Sequence, residues 1–111
     1  METSVVSCGM AGSPDAVIRV AERADDLAAR FPRAVVCRVA LEGSAGPHAR
    51  FFVRVSLATA DDVLTLSEAG AFEGVESVLR TIDRAFDATA ERLARRFGQR
   101  SPSQPAPAFA A

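Results

Sequence analysis

Arginine is concentrated in one short part of this chain. Residues 80–100 contain six arginines and only three acids, and the chain has no lysine at all. The six are Arg80, Arg84, Arg92, Arg95, Arg96 and Arg100. A guanidinium group donates hydrogen bonds in a planar fork that fits phosphate oxygens. The cluster therefore favours a polyanion as the binding partner.

The remaining polar residues favour neither catalysis nor metal binding. The single histidine, His48, and the two cysteines, Cys8 and Cys37, are too widely separated in sequence for any recognised zinc spacing. Both cysteines lie among apolar residues, which predicts reduced, buried thiols, and whether they lie close together is left open. The adjacent pair Asp61-Asp62 is typical of a solvated turn. We therefore expect a protein that is not an enzyme and that uses no cofactor and no metal.

The arginine cluster lies on a predicted helix. Apolar residues recur at helical spacing over residues 75–97, so one face of this helix must pack against something. Asp83, Asp87 and Glu91 oppose the arginines on the same segment. The pairs Glu76–Arg80 and Glu91–Arg95 have the spacing of intrahelical ion pairs. A solvated face with such pairs is therefore the alternative to a phosphate-binding face.

Five further elements are predicted before this helix. A strand covers residues 3–8, and a first helix begins at Ser13-Pro14-Asp15 and ends near Arg30. Three strands follow at residues 34–42, 51–58 and 63–67, the last with an ambiguous inward face. The order β-α-β-β-β-α predicts an α+β fold, a two-layer sandwich with two helices on one face of a four-stranded mixed sheet. The expected core contains Leu27, Val39, Val53, Val55, Ile82, Phe86 and Leu93.

Apolar residues alternate with other residues along the second and third strands, which places a few basic residues on the face opposite the apolar one. Arg38 and Arg54 are predicted on the open face of the sheet, either as part of a basic surface or as ordinary polar decoration. His48 and Arg50 lie at the entry to the third strand. These four residues are secondary candidates for contacts with a polyanion.

Charge and hydropathy limit the partners and the location. The net charge is −1, and residues 59–76 carry five acids and no arginine, so a nucleic-acid surface must be a local patch. No apolar run approaches membrane-spanning length and the N-terminus has no signal-type segment, which predicts a cytoplasmic protein without a membrane partner. We expect one domain over residues 1–100 and a disordered tail, rich in proline and alanine, over residues 101–111.

Several weak motifs occur in the order found in one known family. They are Cys8-Gly9-Met10 followed by Ser13-Pro14, and the segments 37–42, 52–57 and 78–88. Together they resemble the ribosome hibernation-promoting factor family, also called ribosome-associated inhibitor A or sigma-54 modulation proteins. The chain looks like a short, divergent member over residues 3–100. The resemblance implies a stress-response translation silencer that binds 16S rRNA of the small ribosomal subunit in the decoding region.

The resemblance also implies which residues bind RNA. The expected RNA contacts are Arg84, Arg92, Arg95 and Arg96, then Arg80, with Arg38, Arg54, His48 and Arg50 beside them. The partner would be the small ribosomal subunit, without DNA, and a homodimer is left open. The chain departs from the family in the nearly uncharged loop 43–48, in the acids of the second helix, and in the lack of a C-terminal dimerisation domain. The alternative is a divergent member that has lost ribosome binding and acts as a protein-interaction or dimerisation module.

Overall fold

The computed structural model describes residues 1–8, 14–44, 50–71 and 73–97. Six elements follow one another in these residues: β1 (Glu2–Cys8), α1 (Pro14–Arg30), β2 (Val36–Ser44), β3 (Arg50–Ala58), β4 (Val63–Ala71) and α2 (Val75–Phe97). The strands form one sheet in the order β1-β2-β3-β4, with β1 parallel to β2 and the other pairs antiparallel. The predicted order of elements and the mixed sheet are confirmed.

Both helices pack on the same face of this sheet. The inward residues of β3 (Phe51, Val53, Val55 and Leu57) are fully buried, because alternate residues of a strand point to one face. They join Val20 and Leu27 of α1 and Ile82, Phe86 and Leu93 of α2 in one hydrophobic core. All seven residues predicted to be in the core are buried. The opposite face of the sheet carries no helix within the described residues.

The fourth strand is longer than its sequence predicts. It continues through Ala69, Gly70 and Ala71, which pair with Phe52, Phe51 and Arg50 of β3. Small residues have low strand propensity, so the prediction ended this strand at Ser67 and made 70–74 a connection. Pairing with β3 overrides the local preference here, and the connection before α2 is correspondingly shorter.

Gly70 allows α2 to lie close against β4. A Cβ atom at this position would lie 2.5 Å from Oγ1 of Thr81 and 3.3 Å from Nη2 of Arg84. Thr81 is buried, and its hydroxyl donates to the Ser77 carbonyl at 2.9 Å. The helix begins after Gly74, whose φ of 118° disfavours any other residue. The two glycines thus fix where α2 starts and how closely it approaches the sheet.

The two cysteines are far apart. Cys8 pairs with Glu42 in the β1–β2 register, whereas Cys37 pairs with Thr3, so their Cα atoms are separated by about 16 Å along the strands. A disulfide needs Cα atoms within about 7 Å. Cys37 is buried as a free thiol, and desolvation raises its pKa from 9.0 to about 11. The expected buried, reduced thiol is therefore confirmed for Cys37.

Some predictions fall outside the described residues. These are the helix cap at Ser13, the loop around His48 and the tail 101–111. They stay predictions.

Candidate nucleic-acid interface

Four arginines of α2 form one line along the helix. Arg80, Arg84, Arg92 and Arg96 occupy successive fourth positions, with Ala88 between them, and all four are exposed. Side chains at this spacing are neighbours on a helix surface. We call these four residues the arginine row. Arg84 contacts β4 and Arg96 contacts the turn before β4, so these two members of the row lie near this edge strand.

Arg84 is held in place by the edge of the sheet. Its Nη2 donates to the Ala69 carbonyl at 3.0 Å and to Oγ1 of Thr81 at 3.4 Å. Because β4 is an edge strand, this hydrogen bond also satisfies a carbonyl on the strand that has no neighbouring strand on that side. The Nε and Nη1 donors of Arg84 remain for a ligand, and the side chain is exposed.

The acids in the first half of α2 face the other way, toward α1. Asp83 Oδ2 accepts from Arg19 Nη1 at 2.6 Å, and Asp83 Oδ1 lies 3.9 Å from Arg23 Nε. Arg23 also pairs with Asp87. Asp83 and Asp87 thus form their ion pairs with α1 and not with the arginines of their own helix. Arginines of α1 neutralise these acids, which separates them from the arginine row.

Two of the predicted arginines already have acidic partners. Arg95 pairs with Glu91, as their spacing predicts, and Arg96 Nη2 lies 2.6 Å from Asp62 Oδ2. The predicted Glu76–Arg80 pair does not form. Within the described part of the chain, neither Arg80 nor Arg92 has an acidic group within 4.0 Å. These two are consequently the most available cations of α2.

The open face of the sheet brings Arg38 and Arg54 together. Both are exposed, and the β2–β3 register pairs Arg38 with Ser56 and Arg54 with Ala40, so the arginines are diagonal neighbours. They line a shallow hollow of about 510 Å³. Arg50 begins β3 on this same face and is also exposed, whereas His48, grouped with it from sequence, lies outside the described residues. The predicted position of Arg38 and Arg54 on the open face is confirmed.

Sequence reasoning missed two features of this surface. The first is the set of ion pairs from Arg19 and Arg23 to α2, which no local pattern reveals because the partners are 64 residues apart. The second is Phe52, an aromatic ring that lies on the open face and is 40% exposed. The alternation that placed Arg54 outside the core places Phe52 there as well, so the pattern itself contained this information.

Other kinds of site find no support in the residues described. No cluster of three or more His, Cys, Asp or Glu side chains that could hold a metal ion occurs among them. No helix in the same residues is both long enough and apolar enough to span a membrane.

Comparison with known proteins finds solved structures that share this fold. No protein-family model matches the sequence, and no curated protein matches it. The chain superposes on a ribosomal subunit interface protein from Coxiella burnetii with a TM-score of 0.67 and 9% identity, covering 86% of this chain and 97% of that one. It superposes on the N-terminal domain of Protein Y from Thermus thermophilus with a TM-score of 0.64 and 14% identity, covering 86% and 99%.

The chain has the fold of the hibernation-promoting factor family. This confirms the fold that the sequence motifs implied. At such low identities the likeness of this hibernation-factor fold lies in the path of the backbone.

Proposed function

We propose that this protein silences translation by binding 16S rRNA of the small ribosomal subunit in the decoding region. It would act in the cytoplasm, without catalysis and without a cofactor. The hibernation-factor fold supports this, because one of the solved structures that share it is a ribosomal subunit interface protein. The observation that carries the proposal is the separation of charge on α2. Asp83 and Asp87 pair with arginines of α1, whereas Arg84 reaches β4 and Arg96 reaches the turn before it.

In this proposal the arginine row and Arg95 bind rRNA phosphates. Arg80 and Arg92 are exposed and have no ion pair within the described residues, so phosphate costs them no existing partner. Arg84 is already oriented by the Ala69 carbonyl, which reduces the entropy lost when it binds. Such contacts position the protein on the RNA without reading its sequence.

Arg95 and Arg96 would exchange their present partners for phosphate. Their pairs with Glu91 and Asp62 are exposed, and exposed ion pairs contribute only about 0–1 kcal/mol. A phosphate carries at least as much negative charge as a carboxylate and accepts hydrogen bonds from the same guanidinium donors. The exchange is therefore inexpensive, although Glu91 and Asp62 weaken binding by repelling phosphate.

The open face would extend this surface around the edge of the sheet. Arg38 and Arg54 are diagonal neighbours there, and Arg50 lies on the same face at the start of β3. His48 in the preceding loop is proposed as a further contact. Arg38, Arg54, Arg50 and His48 are secondary contacts in this proposal, because α2 carries the larger cluster.

The experiment is co-sedimentation of the purified protein with purified small ribosomal subunits at low salt. Arg80→Gln with Arg92→Gln removes two positive charges from the arginine row. We expect this variant to bind about tenfold more weakly or worse, because two charge-assisted hydrogen bonds are lost. The melting temperature should stay nearly unchanged, because both side chains are exposed and make no ion pair in the described residues.

The matched control is Val17→Glu with Ile18→Glu, which changes the net charge by the same amount. Both side chains are exposed on α1, away from the arginine row. This control should co-sediment almost as the parent does. Equal binding by the glutamine variant and the parent would contradict the proposed surface. Absence of binding by the parent at low salt would contradict the function and would favour the interaction or dimerisation module. Analytical ultracentrifugation of the protein alone would then show whether it dimerises.

A further inference from the structure

Phe52 occupies an unusual place for an exposed aromatic residue. It lies on β3, an interior strand, on the sheet face opposite both helices, and its side chain is 40% exposed. The register pairs it with Glu42 on one side and Ala69 on the other. Since Ala69 is small, one side of the ring has no bulky neighbour at the paired position, which leaves the aromatic ring accessible from solvent.

A hollow lies directly beside this ring. Its volume is about 260 Å³, and it is lined by Ala40, Glu42, Phe52, Arg54 and Ser67, together with Val53. It shares Ala40 and Arg54 with the larger hollow beside Arg38. Small side chains form much of the lining, while an aromatic ring, a carboxylate and a guanidinium group stand at its sides. This volume suffices for one flat heterocycle and not for a folded ligand.

Positive charge lies near the ring in two places, on the open face and at the edge of the sheet. Arg54 is two residues from Phe52 on the same strand and face. At the edge of the sheet, Arg84 reaches over from the helix side, and its Nη2 donates to the Ala69 carbonyl. This guanidinium group lies roughly 10 Å, about two strand spacings, from the Phe52 backbone. Glu42, Phe52 and Ala69 are paired side by side across three strands, and Arg84 of the arginine row follows Ala69 at the edge. A chain with regularly spaced negative charges and flat rings between them matches this arrangement.

We infer that this face binds single-stranded RNA, with one unpaired base stacked on Phe52, one flanking phosphate on Arg54 and the other on Arg84 at the edge of the sheet. This inference rests on the proposed function and adds the class of RNA and a stacking residue to it. Unpaired bases stack on aromatic side chains because every base has a π face, whereas a duplex keeps its bases stacked on each other.

Glu42 supplies a preference among bases. Its side chain is half-buried at the edge of the hollow, and it has no ion pair among the described residues. A carboxylate accepts hydrogen bonds and donates none when ionised. Guanine presents two adjacent N–H donors on its Watson–Crick edge, so it can bind both carboxylate oxygens at once. Adenine and uracil present only one donor group there, and the site should therefore favour guanine.

The test measures binding of fluorescently labelled RNA by anisotropy at low salt. The probes are a short uridine oligomer with one central guanosine, the same oligomer with adenosine or uridine at that position, and a duplex of equal length. We expect the guanosine oligomer to bind most tightly and the duplex least. Phe52→Leu keeps an apolar side chain but removes the π face, and it should weaken binding of the guanosine oligomer about 5- to 100-fold.

Two further variants separate the parts of the site. Glu42→Gln should remove the preference for guanosine while the uridine oligomer binds as well as before or better. Val63→Ala, a control at an exposed position on the same face, should leave all affinities unchanged. A Phe52→Leu variant that binds every oligomer as the parent does would overturn the inference, as would a parent that prefers the duplex.

A direct measurement avoids dependence on the folding of the variant. Stacking of a base on Phe52 should move the proton resonances of this ring upfield when the guanosine oligomer is added to the parent protein, and unmoved resonances would overturn the inference. Failure of base stacking on Phe52 can be distinguished from failure of the proposed ribosomal function. Co-sedimentation that depends on Arg80 and Arg92, without binding of oligomers, would refute stacking alone. Binding of oligomers that depends on Phe52, without co-sedimentation, would refute the ribosomal function alone.

Discussion

Replacing Gly70 by alanine tests how α2 is held against the sheet. The added Cβ would lie 2.5 Å from Oγ1 of Thr81, about 0.9 Å closer than the 3.4 Å at which ordinary contact begins. Thr81 cannot move aside easily, because it is β-branched, buried and hydrogen-bonded to the Ser77 carbonyl. Overpacking of this kind destabilises proteins by about 1–3 kcal/mol. For a domain of this size we expect a fall in melting temperature of roughly 5–20 °C.

The cause can be isolated by changing Thr81 in parallel. Thr81→Ala removes the clashing oxygen, so Gly70→Ala in that background should be neutral or should stabilise by up to about 1 kcal/mol, as alanine does relative to glycine in a strand. Thr81→Val puts a methyl group where the oxygen was, and the full penalty should persist there. Urea denaturation of the parent and of the single and double variants gives the interaction free energies. A penalty in the Thr81→Ala background as large as in the parent would refute the close-approach argument.

Three further predictions concern the core, the ion pairs and the buried thiol. Phe86→Ala should destabilise by about 3–5 kcal/mol in urea denaturation, because the ring is fully buried between α2 and the sheet; a loss below 1 kcal/mol would contradict the packing. Asp83→Asn should lower stability by about 0.5–1 kcal/mol, and the loss should shrink in high salt, because its partner Arg19 and the carboxylate are both about one-third exposed. In a Cys8→Ala chain, stability should be constant below about pH 8 and then fall by roughly 2–3 kcal/mol toward pH 11. The raised pKa of Cys37 keeps its thiol protonated in the folded state, while the unfolded thiol ionises. The chain contains no lysine or tyrosine to obscure this titration, so a Cys37→Ala variant should show no such fall.

The architecture was predictable because each element carries its own periodicity. Alternation in β2 and β3 and the helical spacing of Ile82, Phe86 and Leu93 identify the buried faces before any contact is known. The end of β4 was not predictable in this way. Ala69, Gly70 and Ala71 have no preference for strand structure, and their conformation depends on pairing with β3 and on close contact with α2.

The candidate interface was predictable as a set of residues but not as a charge distribution. The sequence shows that α2 carries many arginines, and its spacing correctly pairs Glu91 with Arg95. It cannot show that Asp83 turns toward Arg19, or that Asp62 reaches Arg96, because both contacts depend on how distant elements pack. The long-range pair with Asp62 occupies Arg96, and the local pair with Glu91 occupies Arg95. Arg80 and Arg92 are therefore better candidates than Arg95 and Arg96.

The most direct test of the central claim is the salt dependence of binding to the small ribosomal subunit. Each neutralised phosphate releases counterions, so the logarithm of the binding constant falls linearly with the logarithm of the salt concentration. If Arg92 binds a phosphate, Arg92→Gln should bind more weakly than the parent, and its slope should be shallower by about 0.7–1. Parallel lines for the parent and Arg92→Gln, or binding that is insensitive to salt, would contradict an RNA interface built on the arginine row.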